Sequence, residues 1–159
     1  AASAIADADV LLLQGEVGVE AARAAAVLAA ASSTKIVFNP APFNDVAASI
    51  LPLADVVIVN RQEAKQLNSF SPPILITTLG ADGCEVRIGE EITHVGAPLV
   101  EVVDPTGAGD AFVGAFSVAF VDTNDPIAAS LIAVRAGAAA VCKVGAQPSM
   151  PRWGDIDSL

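Results

Sequence analysis

Val103-Asp104-Pro105-Thr106-Gly107-Ala108-Gly109-Asp110-Ala111-Phe112 is the stretch from which the rest of the chain can be read. The apolar run Pro98 to Val103 before it reads as a strand or strand end, and Ala111 to Val121 after it has helical character. The glycines therefore fall where an extended segment becomes a helix N-terminus. The first N–H groups of a helix have no intrahelical partner, and the helix dipole adds partial positive charge there, so such a start is an anion site. Gly107 and Gly109 lack a Cβ, which lets the backbone turn sharply and approach a ligand. Asp110 places a carboxylate at the mouth of this site. Next to a polyphosphate that is unfavourable unless the carboxylate has a chemical task, such as accepting a proton from an incoming hydroxyl. A Gly-x-Gly-Asp turn can also simply start a helix, with Asp110 supporting the dipole, and four residues alone do not separate the two readings. No Gly-Lys-Ser/Thr follows, which excludes a Walker loop. The late position and the glycine spacing argue against a dinucleotide-binding fingerprint.

Composition sets the outer bounds. The chain has 159 residues, one domain's worth, with 53% hydrophobic and 16% charged residues, enough for a sizeable core. Aromatics are few and alanine is abundant, so close-packed helices on a sheet are expected. A net charge of −10 argues against nucleic acid as a partner, but not against a single nucleotide, which needs only a local site. Cys84 and Cys142 lie far apart without metal-type spacing and read as two reduced, buried thiols of a cytoplasmic protein. His94 sits in an alternating stretch and reads as a surface residue. No apolar run reaches membrane-spanning length and no signal peptide is visible, so no membrane partner is expected.

In chain order, Ala8 to Gln14 holds a short apolar run with the length of a buried strand, and Gly15-Glu16 ends it. Val19 to Ala31 is helix-forming. Lys35 to Asn39 is a second strand, and Asn39-Pro40-Ala41-Pro42 must be a loop. Asn44 can cap a short helix to Leu51. Asp55 to Asn60 is a third strand, followed by a helix through Leu67, and Ile74 to Thr78 is a fourth. Strands alternating with helices, each strand an unbroken apolar run, predict an α/β fold: a mostly parallel sheet with helices on both faces. Cys84 to Ile88 and Glu91 to Val95 flank Gly89-Glu90 and predict an antiparallel hairpin at one edge. Two helices follow, Ala111 to Val121 and Pro126 to about Cys142, with Asp125-Pro126 as the second N-terminus. The tail from Pro148 to Leu159 has room for one terminal helical turn. There is no internal repeat or linker, so residues 1–159 read as a single α/β domain.

Ligands of an open α/β sheet bind beyond the carboxyl ends of its strands. The polar residues there are Gln14 with Glu16, Asn39, Asn60 with Glu63, and Thr77-Thr78-Leu79-Gly80. Asn60 and Glu63, three residues apart at a helix start, offer hard oxygen ligands that suit Mg²⁺, often through water. The same spacing also makes an Asn cap with Glu at N3, and spacing alone favours the cap. Thr78-Leu79-Gly80-Ala81-Asp82-Gly83 is a glycine-containing turn between strand and hairpin. Val144-Gly145-Ala146-Gln147-Pro148-Ser149 is a proline-marked loop after a helix.

Together these segments resemble the ribokinase-like (PfkB) family of carbohydrate kinases. Asp104 to Phe112 is similar to the family's C-terminal signature, and that likeness implies an anion hole at Gly107, Ala108 and Gly109 with Asp110 as catalytic base. Asn60-Arg61-Gln62-Glu63 resembles the family's Asn-x-x-Glu motif, which positions Mg²⁺ and phosphate. Thr78 and Gly80 match the segment lying along the ATP phosphates. Gly15-Glu16 matches a segment carrying a Glu near the sugar, and Asn39-Pro40-Ala41-Pro42 resembles ribokinases proper. By the same resemblance Asp104, Thr106, Ala140, Lys143, Gly145 and Ser149 would surround an activating K⁺. The implied function is phosphoryl transfer from ATP to a sugar hydroxymethyl, ribose being the first candidate, and Asp110 would also touch the sugar.

The resemblance covers only the later part of the family's chain. The sugar-binding segment, the lid and several strands have no counterpart here, and a helix and strand expected between Leu67 and Ile74 are missing. The sugar site and one sheet edge are then expected to be open, and the isolated chain to do no more than hydrolyse ATP slowly. The alternative from another class is a non-catalytic nucleotide-binding or oligomerisation module. A dehydrogenase is disfavoured because no early Gly-x-Gly-x-x-Gly is present. Oligomeric state is open, with a homodimer compatible with the resemblance.

Overall fold

A computed structural model describes residues 2–159. Six strands are hydrogen-bonded in the order β1-β2-β3-β4-β5-β6: β1 Val10–Gln14, β2 Lys35–Asn39, β3 Val56–Asn60, β4 Ile74–Thr78, β5 Cys84–Ile88 and β6 Glu91–Val95. β1 to β4 pair in parallel, with Leu13 beside Phe38, Phe38 beside Val57 and Ile58 beside Ile76. β5 and β6 are joined only by Gly89-Glu90, a link short enough to force an antiparallel hairpin. Gly89 supplies the positive φ of that turn. The mostly parallel α/β sheet with an edge hairpin matches the fold expected from sequence.

Two compact units divide the chain: residues up to Thr78 with Arg87–Ile92, and Leu79–Val86 with Thr93–Leu159. In the first, helices α1 (Ala2–Ala6), α2 (Val19–Ala30), α3 (Asp45–Ile50) and α4 (Arg61–Ala64) alternate with the strands. Strand order rises with sequence, and right-handed crossovers that all step the same way lay their helices on one face. That face carries Leu13, Ile36, Phe38, Val57 and Val59, in one cluster with Ala22, Ala26, Val46 and Ile50 of the helices. Val37, Val56, Ile58 and Ile76, pointing the other way, are also buried. This is why β3 reads Val-Val-Ile-Val without alternation: neither face tolerates a polar residue. Each such side chain contributes about 1.5–3 kcal/mol on full burial.

Local signals set the element ends. Asn44 caps α3 by accepting from the Val46 N–H at 3.0 Å. The link from β3 to β4 is short, α4 plus a 3₁₀ turn at Lys65–Leu67, yet it completes a parallel crossover with five-residue register. α1 was not foreseen in the sequence.

In the second unit, α5 (Ala108–Thr123) packs on α6 (Pro126–Val141), followed by α7 (Ala146–Ser149) and α8 (Trp153–Asp157). The interface is made of small residues. Ala129, Ala133, Ala136 and Ala140 of α6 are buried, and a Cβ on Gly137 would lie 3.4 Å from the Ala108 carbonyl. Phe116 and Phe120 of α5 stack at 5.4 Å. Asp125 caps α6 through the Ile127 and Ala128 N–H groups. α5 begins three residues earlier than expected, which puts Ala108, Gly109 and Asp110 inside its first turn.

Pro98–Val103 corrects the sequence reading, since it forms no strand. Leu99 is fully exposed, Val102 and Val103 are more than half exposed, and Pro98 lacks a ladder donor. Val103 N–H donates instead to the Val141 carbonyl at 2.8 Å.

Of the two thiols expected to be buried, Cys84 lies at 0% exposure, and burial pushes its thiol up to about 11. Cys142 corrects the expectation: it is exposed, because it stands at the C-cap of α6. Thiolate is the reactive form. An aromatic disulfide reagent at pH 8 should therefore titrate one thiol in the native chain and a second only after denaturation. Two fast-reacting native thiols would contradict this packing.

Candidate active site

The start of α5 is built by backbone geometry. Gly107 is the N-cap at φ +83°, in the left-handed region, and no side chain caps the helix among the described residues. Ala111 N–H donates to the Gly107 carbonyl at 2.9 Å, closing the first helical turn, and Ala108 N–H reaches the Pro105 carbonyl at 3.3 Å. A helix of 16 residues thus starts, with its dipole, at an N-cap that has no side chain of its own. Asp110 is exposed within this first turn.

The turn is anchored from behind. Asp104 Oδ1 accepts from Thr106 N–H at 2.9 Å, and Oδ2 accepts from Gly145 N–H at 2.8 Å. The Thr106 hydroxyl, then the Gly145 and Thr106 amides, hold the Asp104 carboxyl below the usual carboxylate range. Val103 and Asp104 N–H both donate to the Val141 carbonyl. A Cβ on Gly107 would lie 2.8 Å from Met150 Cε and 3.2 Å from Ala146 Cα. The segment from Val141 to Met150 therefore forms the seat of the turn.

Of the residues assigned to a monovalent cation, Asp104, Thr106 and Gly145 are joined by these bonds. Ala140 and Lys143 lie at the end of α6, where Lys143 N–H donates to the Ala140 carbonyl at 3.3 Å. Ser149 is fully buried and its hydroxyl donates to the Ala146 carbonyl at 2.8 Å. Lys143 also pairs with Asp155 of α8 at 3.8 Å. Asp155 in turn accepts from Arg152 N–H, which with Lys143 holds its carboxyl below the ordinary range.

An open groove of about 400 Å³ runs along α5 beside Asp110. Gly114 and Val118 form its floor, and Met150, Trp153 and Ile156 form its wall. Nothing local in Met150-Pro151-Arg152-Trp153 announces a long-range contact, so the tail beside Asp110 was not legible in the sequence.

In the first unit, the polar strand ends are largely engaged in holding the scaffold. Asn60 Oδ1 accepts from Gln62 N–H at 2.8 Å and Glu63 N–H at 2.9 Å, and Glu63 Oε2 accepts from Asn60 N–H at 2.9 Å. This is a complete capping box at the start of α4. Asn39 donates to the Ile58 carbonyl at 2.8 Å and Thr78 to the Val59 carbonyl at 3.4 Å. Glu16 is exposed just after Gly15. Gly15 donates to the Ala41 carbonyl and accepts from Asn44 Nδ2, so β1 ends against the Pro40–Pro42 loop. In the second unit, Gly80 opens a 3₁₀ turn at φ +66° and accepts from Gly83 N–H at 3.0 Å.

The profile of the pfkB family of carbohydrate kinases matches residues 1–153. The chain belongs to that family. Ribokinase of Lactococcus lactis subsp. lactis (strain IL1403) is 30% identical over 161 residues, covering 96% of this chain and 54% of that enzyme. A crystal structure of ribokinase from Thermotoga maritima superimposes with a TM-score of 0.88 at 26% identity, covering 99% of this chain and 58% of that one. Ribokinase of Arabidopsis thaliana, solved with ribose and ATP, shares the fold with a TM-score of 0.88 at 22% identity, covering 99% and 57%. The chain spans about half the length of the curated relatives it matches. PfkB enzymes are phosphotransferases with an alcohol acceptor. No helix among the described residues is long and apolar enough to cross a membrane.

Gly107→Ala tests the turn. The left-handed conformation costs a non-glycine residue about 1–2 kcal/mol, and the contact with Ala146 and Met150 adds overpacking of about 1–3 kcal/mol. Denaturant unfolding should show a loss of about 2–5 kcal/mol. A change under half a kilocalorie would mean that the turn is not held as described.

Proposed function

We propose that this chain is the nucleotide-binding and catalytic-base part of an ATP-dependent sugar kinase that phosphorylates a sugar hydroxymethyl, ribose being the favoured acceptor. The observation that carries the reading is the start of α5: a left-handed Gly107, no side-chain cap, and Asp110 exposed in the first turn. In the proposed reaction Asp110 accepts the hydroxyl proton as the sugar oxygen forms its bond to the γ-phosphorus. The bond from that phosphorus to the β,γ-bridging oxygen breaks, and ADP leaves. The Gly107, Ala108 and Gly109 amides would hold the transferring phosphoryl oxygens, since positioning and electrostatics account for most of such catalysis. Thr78 and Gly80 are assigned to the nucleotide, and Glu16 to the sugar. The relative from Arabidopsis, with both ribose and ATP bound, supports this choice of ligands.

Among the described residues no group of three or more His, Cys, Asp or Glu could form an all-protein metal cage. Mg²⁺ keeps waters and leans on substrate phosphates rather than on a protein cage. Asn60 and Glu63 would hold it through water, and it would neutralise phosphate charge. For K⁺ the donors of Asp104, Thr106, Ala140, Lys143, Gly145 and Ser149 are carbonyl, carboxylate and hydroxyl oxygens, the hard set such an ion takes. Bound there, it would stabilise the seat of the turn. The need for ATP and the two free cysteines favour the cytoplasm. No observation favours a non-catalytic module.

Calorimetry with MgADP should show binding to the wild-type chain, and Asp110→Asn should keep that affinity within about twofold. In a sugar-dependent ADP-release assay, run with the part of the relatives that these 159 residues do not span also present, Asp110→Asn should lose ~10²–10⁴-fold in rate. No heat and no thermal shift at millimolar nucleotide would defeat the reading, and near-normal turnover of the Asn variant would remove Asp110 from its role.

A further inference from the structure

We infer that Asp104 is a positioning residue, whose carboxylate fixes the anion-binding turn by bridging the main-chain amides of Thr106 and Gly145. This rests on the reading that the first turn of α5 holds phosphate, and it gives Asp104 a side-chain role other than direct cation ligation. The two amides come from different loops, Gly145 lying 41 residues from Asp104 along the chain. One lies within the turn itself and the other opens α7, whose Ala146 packs on Gly107. Each carboxylate oxygen accepts one of them, at 2.9 and 2.8 Å. The segment before Asp104 offers no other fixed frame, since residues 96–103 form no regular element and Leu99, Val102 and Val103 project into solvent. The backbone bonds to Val141 tether Val103 and Asp104 but reach no further along the turn. Registration of Thr106 to Asp110 against the seat therefore passes through this carboxylate. An Asn side chain has the same shape but only one acceptor oxygen, so its NH₂ must face one of the two N–H donors.

The test uses Asp104→Asn and Asp104→Ser in the 159-residue chain, in K⁺-free buffer and in excess K⁺. Amide hydrogen exchange, MgADP affinity and the thermal midpoint are read together. In the Asn variant protection should fall at Thr106 or Gly145, with MgADP affinity down about tenfold, the scale of one charge-assisted hydrogen bond. The Ser hydroxyl retains the local bond to Thr106 and is too short for Gly145, so only Gly145 should lose protection. Both effects should be present without K⁺ and persist with it, while exchange elsewhere in α5 and α6 stays unchanged. Unaltered protection at both amides overturns the inference. So does a defect seen only in K⁺, which would make the carboxylate a cation ligand, and so does global unfolding of both variants. If the wild-type chain binds no MgADP, the functional reading fails, while the exchange data still decide whether Asp104 sets the turn.

Discussion

The start of α5 depends on Gly107 standing at φ +83° without a side chain. Two demands meet at that residue. The chain must reverse from Pro105-Thr106 into a helix, which takes a left-handed residue. The turn also presses against Ala146 and Met150, where a Cβ would crowd the Ala146 backbone and displace the end of the Met150 side chain. Only glycine meets both. A helix N-terminus is usually stabilised by a side-chain acceptor, as Asn44 and Asp125 do elsewhere in this chain. α5 instead has a glycine N-cap and takes its position from tertiary packing.

That packing explains the alanine-rich composition. For α6 to support the turn, its backbone must come close enough that a Cβ on Gly137 would nearly touch the Ala108 carbonyl. Ala129, Ala133, Ala136 and Ala140 permit the approach and bury little area each. Stability then rests on many small contacts. The larger side chains, Phe112, Phe116 and Phe120, are kept on α5 and buried.

The sequence made the strands legible because β-branched runs flanked by Gly, Pro or polar residues leave few alternatives, and β2, β4 and both hairpin strands have the bounds read from it. Pro98–Val103 misled because an apolar run reports what a segment is able to bury, not whether anything covers it. The site divides in the same way. Gly107 and Asp110 were legible because their places are local, in a turn and in the first turn of a helix. The bond from Asp104 to Gly145 was not, because it joins two loops whose separation along the chain carries no periodic signal. Strand order was equally hidden. The carboxyl-end rule says at which end of a parallel sheet to look, but the order rises without reversal from β1 to β4, so no crevice at a reversal singles out one strand there.

Asn60 and Glu63 show how one motif can be read in two ways without conflict. Spacing alone favoured a capping box, the family resemblance favoured Mg²⁺, and the box is fully formed. Direct ligation by Asn60 Oδ1 or Glu63 Oε2 would pull them from three main-chain amides, and losing a cap of this kind costs about 1 kcal/mol. Mg²⁺ releases its waters reluctantly. A water held between metal and side chain can donate to an oxygen that already accepts from an amide, because such oxygens have more than one lone pair. Were Mg²⁺ held here as proposed, the outer-sphere arrangement is the one that would leave the cap intact. The box holds both side chains in one rotamer, and that rigidity is what a water-mediated contact needs, since it has no inner-sphere bond to enforce its geometry.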